Sequence, residues 1–99
     1  MELSELTLET FGSRVGETFR DTEAGTTLEL LSADDLSEVA VNVPQGARAP
    51  FSLIFRGPGE PLVPQSIRTL AHDDLGELAI FLVPIAREAD GLRYQAVFS

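Results

Sequence analysis

The sequence contains no cysteine, tryptophan or lysine, and two of these absences exclude whole classes of chemistry. Without cysteine there are no disulfides, thiolate nucleophiles, zinc–thiolate sites or cysteine-bound iron–sulfur clusters. Without lysine, neither Schiff-base catalysis nor a phosphate-binding lysine of the Walker type is available. All seven basic residues are therefore arginines.

Long apolar runs are also absent. Crossing a membrane takes about 20 apolar residues, whereas the longest run here, residues 78–86, has the length of a strand and contains a proline. The first five residues include two glutamates and no basic residue, but a secretory signal begins with a basic segment that an apolar run follows. We therefore expect a cytoplasmic protein that does not enter a membrane.

The net charge is −9 over 99 residues. Such a surface repels the phosphates of nucleic acids and of anionic membranes, so we expect neither as a partner. The hydrophobic fraction of 43% and the charged fraction of 23% are those of a folded globular protein. The length suits one domain, residues 1–99.

Short apolar segments punctuated by glycine and proline predict an all-β, mainly antiparallel fold. The unbroken apolar run at residues 78–83 predicts a strand that is covered on both faces, and residues 92–98 alternate like a strand with one wet face. Together they predict a terminal hairpin over residues 77–99. Replacing Phe81, a predicted core residue, by alanine should then cost about 3–5 kcal/mol. Further strands are predicted at residues 17–21, 26–32, 39–43, 51–55 and 66–72.

One helix is predicted, at residues 7–15. Leu8, Phe11 and Val15 have the spacing of one helical face, Thr7 suits the N-cap, and Gly16 suits the end. Strands do not alternate with long helices, which argues against a parallel α/β sheet. We predict a small curled sheet or barrel of about six strands with one short N-terminal helix.

His72 is the single histidine, and Asp73 and Asp74 follow it. A metal site would need more ligands than such neighbours supply, so we favour a turn in which Asp73 accepts a hydrogen bond and His72 caps a strand edge. No serine lies in a nucleophile elbow. We therefore predict no catalytic residue, no cofactor and no metal site.

Arg56 ends a predicted buried strand and begins the segment Arg56-Gly57-Pro58-Gly59. This segment is a poor phosphate loop because no helix follows it, and we expect a turn in which Gly57 or Gly59 takes a positive φ. Arg56 itself is predicted to pair with a carboxylate of a neighbouring strand, with ligand binding as the alternative.

Leu62 and Val63 lie between two prolines in a stiff segment. If they are exposed they form a docking patch, and if they are buried they plug one end of the barrel. Pro84 lacks the N–H that a central strand needs, so it marks an edge, a bulge or the end of the strand. We expect the outer half of the terminal hairpin, residues 84–93 with Arg93, to meet a partner.

Three runs stand out together: residues 50–58 (PFSLIFRGP), 61–65 (PLVPQ) and 80–84 (IFLVP). With His72 and Asp90-Gly91, they resemble a family of bacterial proteins of about 100 residues that has no known function. Its members resemble products encoded beside small phage-tail-collar or tail-fibre-like proteins. The resemblance therefore implies a role in a tail-like assembly or its production, and it implies no catalytic residue.

Two functions follow as hypotheses. The first is a non-enzymatic structural or accessory protein that binds a protein partner in a tail-like assembly, either stably or as a transient assembly factor. The alternative is a small-molecule-binding β-barrel or weak enzyme, for which Arg56 and His72 would have to converge on one pocket. The oligomeric state stays open, a homo-oligomer included. The residues predicted to bind a partner or ligand are Arg56, Leu62, Val63, His72 and Arg93.

Overall fold

A computed structural model describes residues 6–36, 50–60 and 62–98. In these ranges six antiparallel strands form a closed barrel in the order β1-β2-β3-β6-β5-β4, with one short helix before them. The predicted all-β architecture is therefore confirmed. The elements are α1 (Leu8–Gly12), β1 (Thr18–Asp21), β2 (Thr27–Asp35), β3 (Phe51–Gly57), β4 (Ser66–His72), β5 (Gly76–Glu88) and β6 (Gly91–Phe98).

The barrel interior is packed with apolar side chains because alternate residues of every strand point inward. The T-shaped contact of Phe19 with Phe55, whose ring centroids are 5.4 Å apart, lies within this core. Each buried aliphatic or aromatic side chain stabilises the fold by about 1.5–3 kcal/mol. The interior is therefore a core and not a channel. Its fully buried members include Phe19, Leu30, Leu53, Phe55, Leu70, Leu78, Ile80, Leu82 and Leu92.

Helix α1 closes one end of the barrel. Thr7 and Thr10 form a reciprocal capping box, as the N-cap prediction required. The buried ring of Phe11 lies 5.7 Å from Phe98 and 6.0 Å from Phe51 between ring centroids. The predicted extension to Val15 is wrong, since the helix ends at Gly12 and the side chain of Val15 is 49% exposed. α1 is the only helix among the described residues, and with five residues it is too short to span a membrane.

Strand β5 corrects the prediction for residues 78–83. Leu78, Ile80 and Leu82 point into the core, but Ala79 and Phe81 are exposed, Phe81 by 50%. A closed barrel is a single layer, so each strand has one inner and one outer face even where every residue is apolar. The core assignment of Phe81 was therefore wrong. The strand predicted at residues 39–43 lies outside the described residues.

Candidate functional site

The end of the β5–β6 hairpin extends beyond the neighbouring strand β4. The last β4–β5 pair joins Ser66 to Leu82, whereas β5 continues to Glu88 and pairs there with β6. The register shifts between Pro84 and Ala86, which confirms the predicted irregularity at Pro84. We call residues 84–93 the outer hairpin. Ile85, at the register shift, is 49% exposed.

Two arginines hold the tip of the outer hairpin. Arg56 and Arg93 are direct register partners on β3 and β6, so their like charges would repel each other. Asp90 relieves this, because Arg93 Nη2 donates to its Oδ1 at 2.7 Å and Arg56 Nη1 donates to its Oδ2 at 3.0 Å. These bonds, that of Arg93 first, lower the pKa of the Asp90 carboxyl below its ordinary value. Arg56 also pairs with Glu29 of β2, which confirms the predicted ion pair with a neighbouring strand.

Glycines let β3 approach the same tip. A Cβ on Gly91, whose φ is +130°, would lie 2.2 Å from the carbonyl oxygen of Gly57. A Cβ on Gly57 would lie 2.8 Å from Leu28 Cδ2 and 3.0 Å from Tyr94 Cε2. The positive φ predicted at Gly57 or Gly59 is wrong, since the described glycines with positive φ are at 16, 25, 76 and 91. Close packing of the Leu28 and Tyr94 side chains, not a turn conformation, accounts for glycine at position 57.

The connection from β3 to β4 passes the outer hairpin. Arg87 Nη1 donates to the carbonyl oxygen of Gly59 at 2.9 Å. Val63 packs against the core, and its N–H donates to Tyr94 Oη at 3.1 Å, so this residue helps to close the barrel. Leu62, in contrast, is 49% exposed. Val63 is thus packed against the core as the plug alternative requires, whereas Leu62 has the exposure that the docking alternative requires.

Arg56 and His72 line different depressions. Arg56 borders one with Glu29, Pro58 and Asp90, and His72 borders the other with Glu17 and the turn after β4. Thr18 is common to both linings. The described part of the chain therefore does not bring Arg56 and His72 onto one pocket, and the single shared site that the small-molecule hypothesis required is not formed.

His72 holds a turn together. Its Nδ1 accepts hydrogen bonds from the backbone N–H groups of Asp74 at 3.0 Å and Leu75 at 3.3 Å. The proton of the neutral ring must then lie on Nε2, which donates to Glu17 Oε1 at 2.7 Å. The ring is buried and lies 4.7 Å from that of Phe19 between centroids. We predicted Asp73 as the hydrogen-bond acceptor in this turn, whereas in the structure His72 Nδ1 has that role.

The same hydrogen bonds decide whether this turn suits a metal. Ligand atoms of Glu17, His72 and Asp74 all lie within 4.8 Å of one another. A metal on Nε2 would displace its proton to Nδ1, and Nδ1 would then face two backbone N–H groups that donate to it. The acceptor role of Nδ1 therefore opposes metal binding at this cluster.

A buried ion pair was missed by the sequence reasoning. Asp21 is 1% exposed, and Arg68 Nε donates to its Oδ2 at 2.8 Å while Arg68 Nη2 donates to its Oδ1 at 3.1 Å. The backbone N–H groups of Glu23 and Ala24 also donate to Oδ1. The alternation of inward and outward residues along the strands indicates that both side chains point into the barrel. Asp21 lies on the inward face of β1 with Phe19, and Arg68 lies on the inward face of β4 with Leu70.

Comparison with known proteins gives one family. The family model of a domain of unknown function, DUF6916, matches residues 6–98, nearly the whole chain. No curated protein matches significantly. No solved structure does so either.

Proposed function

The chain belongs to the DUF6916 family of domains of unknown function, and we propose that it is a non-enzymatic accessory protein that binds another protein. The resemblance to bacterial products encoded beside tail-collar or tail-fibre-like proteins suggests the setting, a phage-tail-like assembly or its production in the bacterial cytoplasm. The outer hairpin is the docking element in this proposal. The observation that carries it is a preformed tip beside exposed apolar side chains.

The rigidity of the tip supports binding. Asp90 is held by two arginines, and Arg87 ties the hairpin to the β3–β4 connection. A surface ordered before binding loses less conformational entropy when a partner docks, so more of the contact energy appears as affinity. Ile85 and Leu62, each 49% exposed, supply the apolar contacts that such a surface needs.

The remaining polar clusters support a binding role over catalysis. The carboxylate of Asp21 is taken up by Arg68 and two backbone N–H groups, and both ring nitrogens of His72 are hydrogen-bonded. In the described ranges these clusters hold strands and turns together. The net charge of −9 makes a partner with a basic contact surface the favoured one.

Co-expression of this protein with its neighbouring genes tests the proposal. A tagged wild-type protein should co-purify with one of these products, and the double variant Leu62→Ser/Ile85→Ser should lose it. Val15→Ser is the matched control, because Val15 is equally exposed, at 49%, but follows α1 at the other end of the barrel. Co-purification that survives the double substitution, or none by the wild type, would overturn the proposal.

A further inference from the structure

Within the part of the chain that the structure describes, one outer face of the barrel carries no ionisable side chain. It comprises the outward-pointing residues within 67–71 of β4, 79–83 of β5, 95–97 of β6 and 52–54 of β3, which we call the neutral face. Ser52, at its edge, is buried, so Ile54 is the residue that β3 presents to a partner. These four strands are consecutive in the barrel. In a chain with 16 acidic and seven basic residues, an uncharged outer surface across four strands is unexpected.

The most exposed apolar side chains of the neutral face form a row. Ile67 lies directly opposite Phe81 in the β4–β5 register. Val83 lies opposite Gln95, so Phe81 and Val97, two residues farther along each strand, share the same row. The exposed fractions are 66% for Ile67, 50% for Phe81 and 59% for Val97. Exposed apolar side chains grouped in this way are typical of a protein–protein contact.

The charge distribution indicates what covers this row. The neutral face is bordered by charged residues, among them Glu77, Arg93 and Asp34 on the same outer side of the barrel. Two copies of a chain with charge −9 repel each other, so a contact between them is favoured where neither copy presents carboxylates. Among the described residues, the neutral face is a surface on which two copies can meet without opposing like charges. We propose that it is the contact surface of a two-fold symmetric homodimer.

The size of the face predicts how strong this dimer is. Four strands about 4.8 Å apart, with two or three outward residues along each, give an area of roughly 300 Å² per copy. Stable interfaces bury about 800 Å² per partner, so the dimer is weak and reversible. Its residues adjoin those of the outer hairpin but do not overlap with them, so the dimer and the proposed docking of another protein are tested by different substitutions.

Sedimentation equilibrium from low micromolar to millimolar concentration tests the dimer, with wild type, Phe81→Asp and Val15→Asp compared at low and high salt. The two substitutions add the same charge at nearly equal exposure, 50% and 49%. The wild type and Val15→Asp should approach the dimer mass, and more so at high salt, because salt screens the repulsion between copies. Phe81→Asp should weaken dimerisation at least tenfold.

A further variant guards against misfolding. Phe81→Ser adds no charge, and a circular dichroism spectrum like that of the wild type shows that a variant is folded. It should also weaken the dimer. A wild type that stays monomeric throughout, association that decreases with salt, or a folded Phe81 variant that dimerises like the wild type would overturn the proposal.

Discussion

Asp21 and Arg68 form a bidentate ion pair inside the barrel, at the seam between β1 and β4. Two register pairs join these strands, Arg20 with Ala71 and Asp21 with Leu70, whereas seven join β4 to β5. The ion pair therefore adds side-chain bonds where the backbone ladder is shortest. Both partners lie on inward-facing positions, so the pair also links the core to the turn after β1.

Replacing Arg68 by methionine should destabilise the protein by about 2–3 kcal/mol. The substitution leaves the buried carboxylate of Asp21 without its cation, although the backbone N–H groups of Glu23 and Ala24 still donate to it. Urea unfolding measures the loss. Arg20→Met, at the same seam but on the outer face, is the control and should change stability by less than about 0.5 kcal/mol. Equal effects of the two substitutions would show that the ion pair does not hold this seam.

Acid should remove the contribution of Asp21. Burial alone would raise the pKa of this carboxyl, but the hydrogen bonds from Arg68, Ala24 and Glu23 outweigh it and hold the pKa below its ordinary value. The stabilisation is therefore fully present above the unfolded-state pKa of about 3.9 and is lost as the pH falls through the lower folded-state value.

The free energy of unfolding of wild type and Asp21→Asn, measured by urea between about pH 7 and pH 2, checks this sign. The wild type should be the more stable protein at neutral pH, and the difference should shrink in acid. A difference that stays constant or grows as the pH falls would contradict the depressed pKa.

Two phenylalanines should respond differently to alanine. Phe55 is fully buried, so Phe55→Ala should cost about 3–5 kcal/mol. Phe81 is half exposed and lies opposite Ile67 on the neighbouring strand, so Phe81→Ala should cost about 1 kcal/mol or less. Denaturant unfolding of the two variants measures the contrast. A similar, large loss in both would place Phe81 in the core after all.

His72 should tolerate asparagine better than leucine. The Oδ1 atom of asparagine can take over the acceptor role of Nδ1 toward Asp74 and Leu75, whereas leucine leaves both backbone N–H groups unpaired. Thermal unfolding should rank wild type, His72→Asn and His72→Leu in that order of stability. A leucine variant as stable as the asparagine variant would show that this turn does not depend on the acceptor.

Divalent metal ions should leave the melting temperature unchanged. Binding to His72 Nε2 would cost the two hydrogen bonds at Nδ1, which offsets the gain from coordination. Thermal unfolding with and without excess zinc measures this. A rise in melting temperature with zinc that His72→Asn abolishes would instead establish a metal site at Glu17, His72 and Asp74.

The sequence was sufficient for the strands and their class. Periodicity located β1 to β6 within a few residues, and Pro84 marked the irregularity in β5. The sequence was not sufficient to predict which residues of an all-apolar strand are buried. Such a strand has the same pattern in a sheet covered on both faces and in a barrel, so Phe81 was wrongly assigned to the core. Asp21 and Arg68 were missed because their contact joins strands 47 positions apart, a pairing that alternation alone does not specify.

The docking role of the outer hairpin is tested most directly by amide hydrogen exchange of the protein alone and in complex with the co-purifying gene product. We expect added protection in residues 84–93 and at Leu62, with the core strands β3 and β4 unchanged. Protection confined to other parts of the surface, with exchange in the outer hairpin as fast as in the free protein, would contradict the proposal.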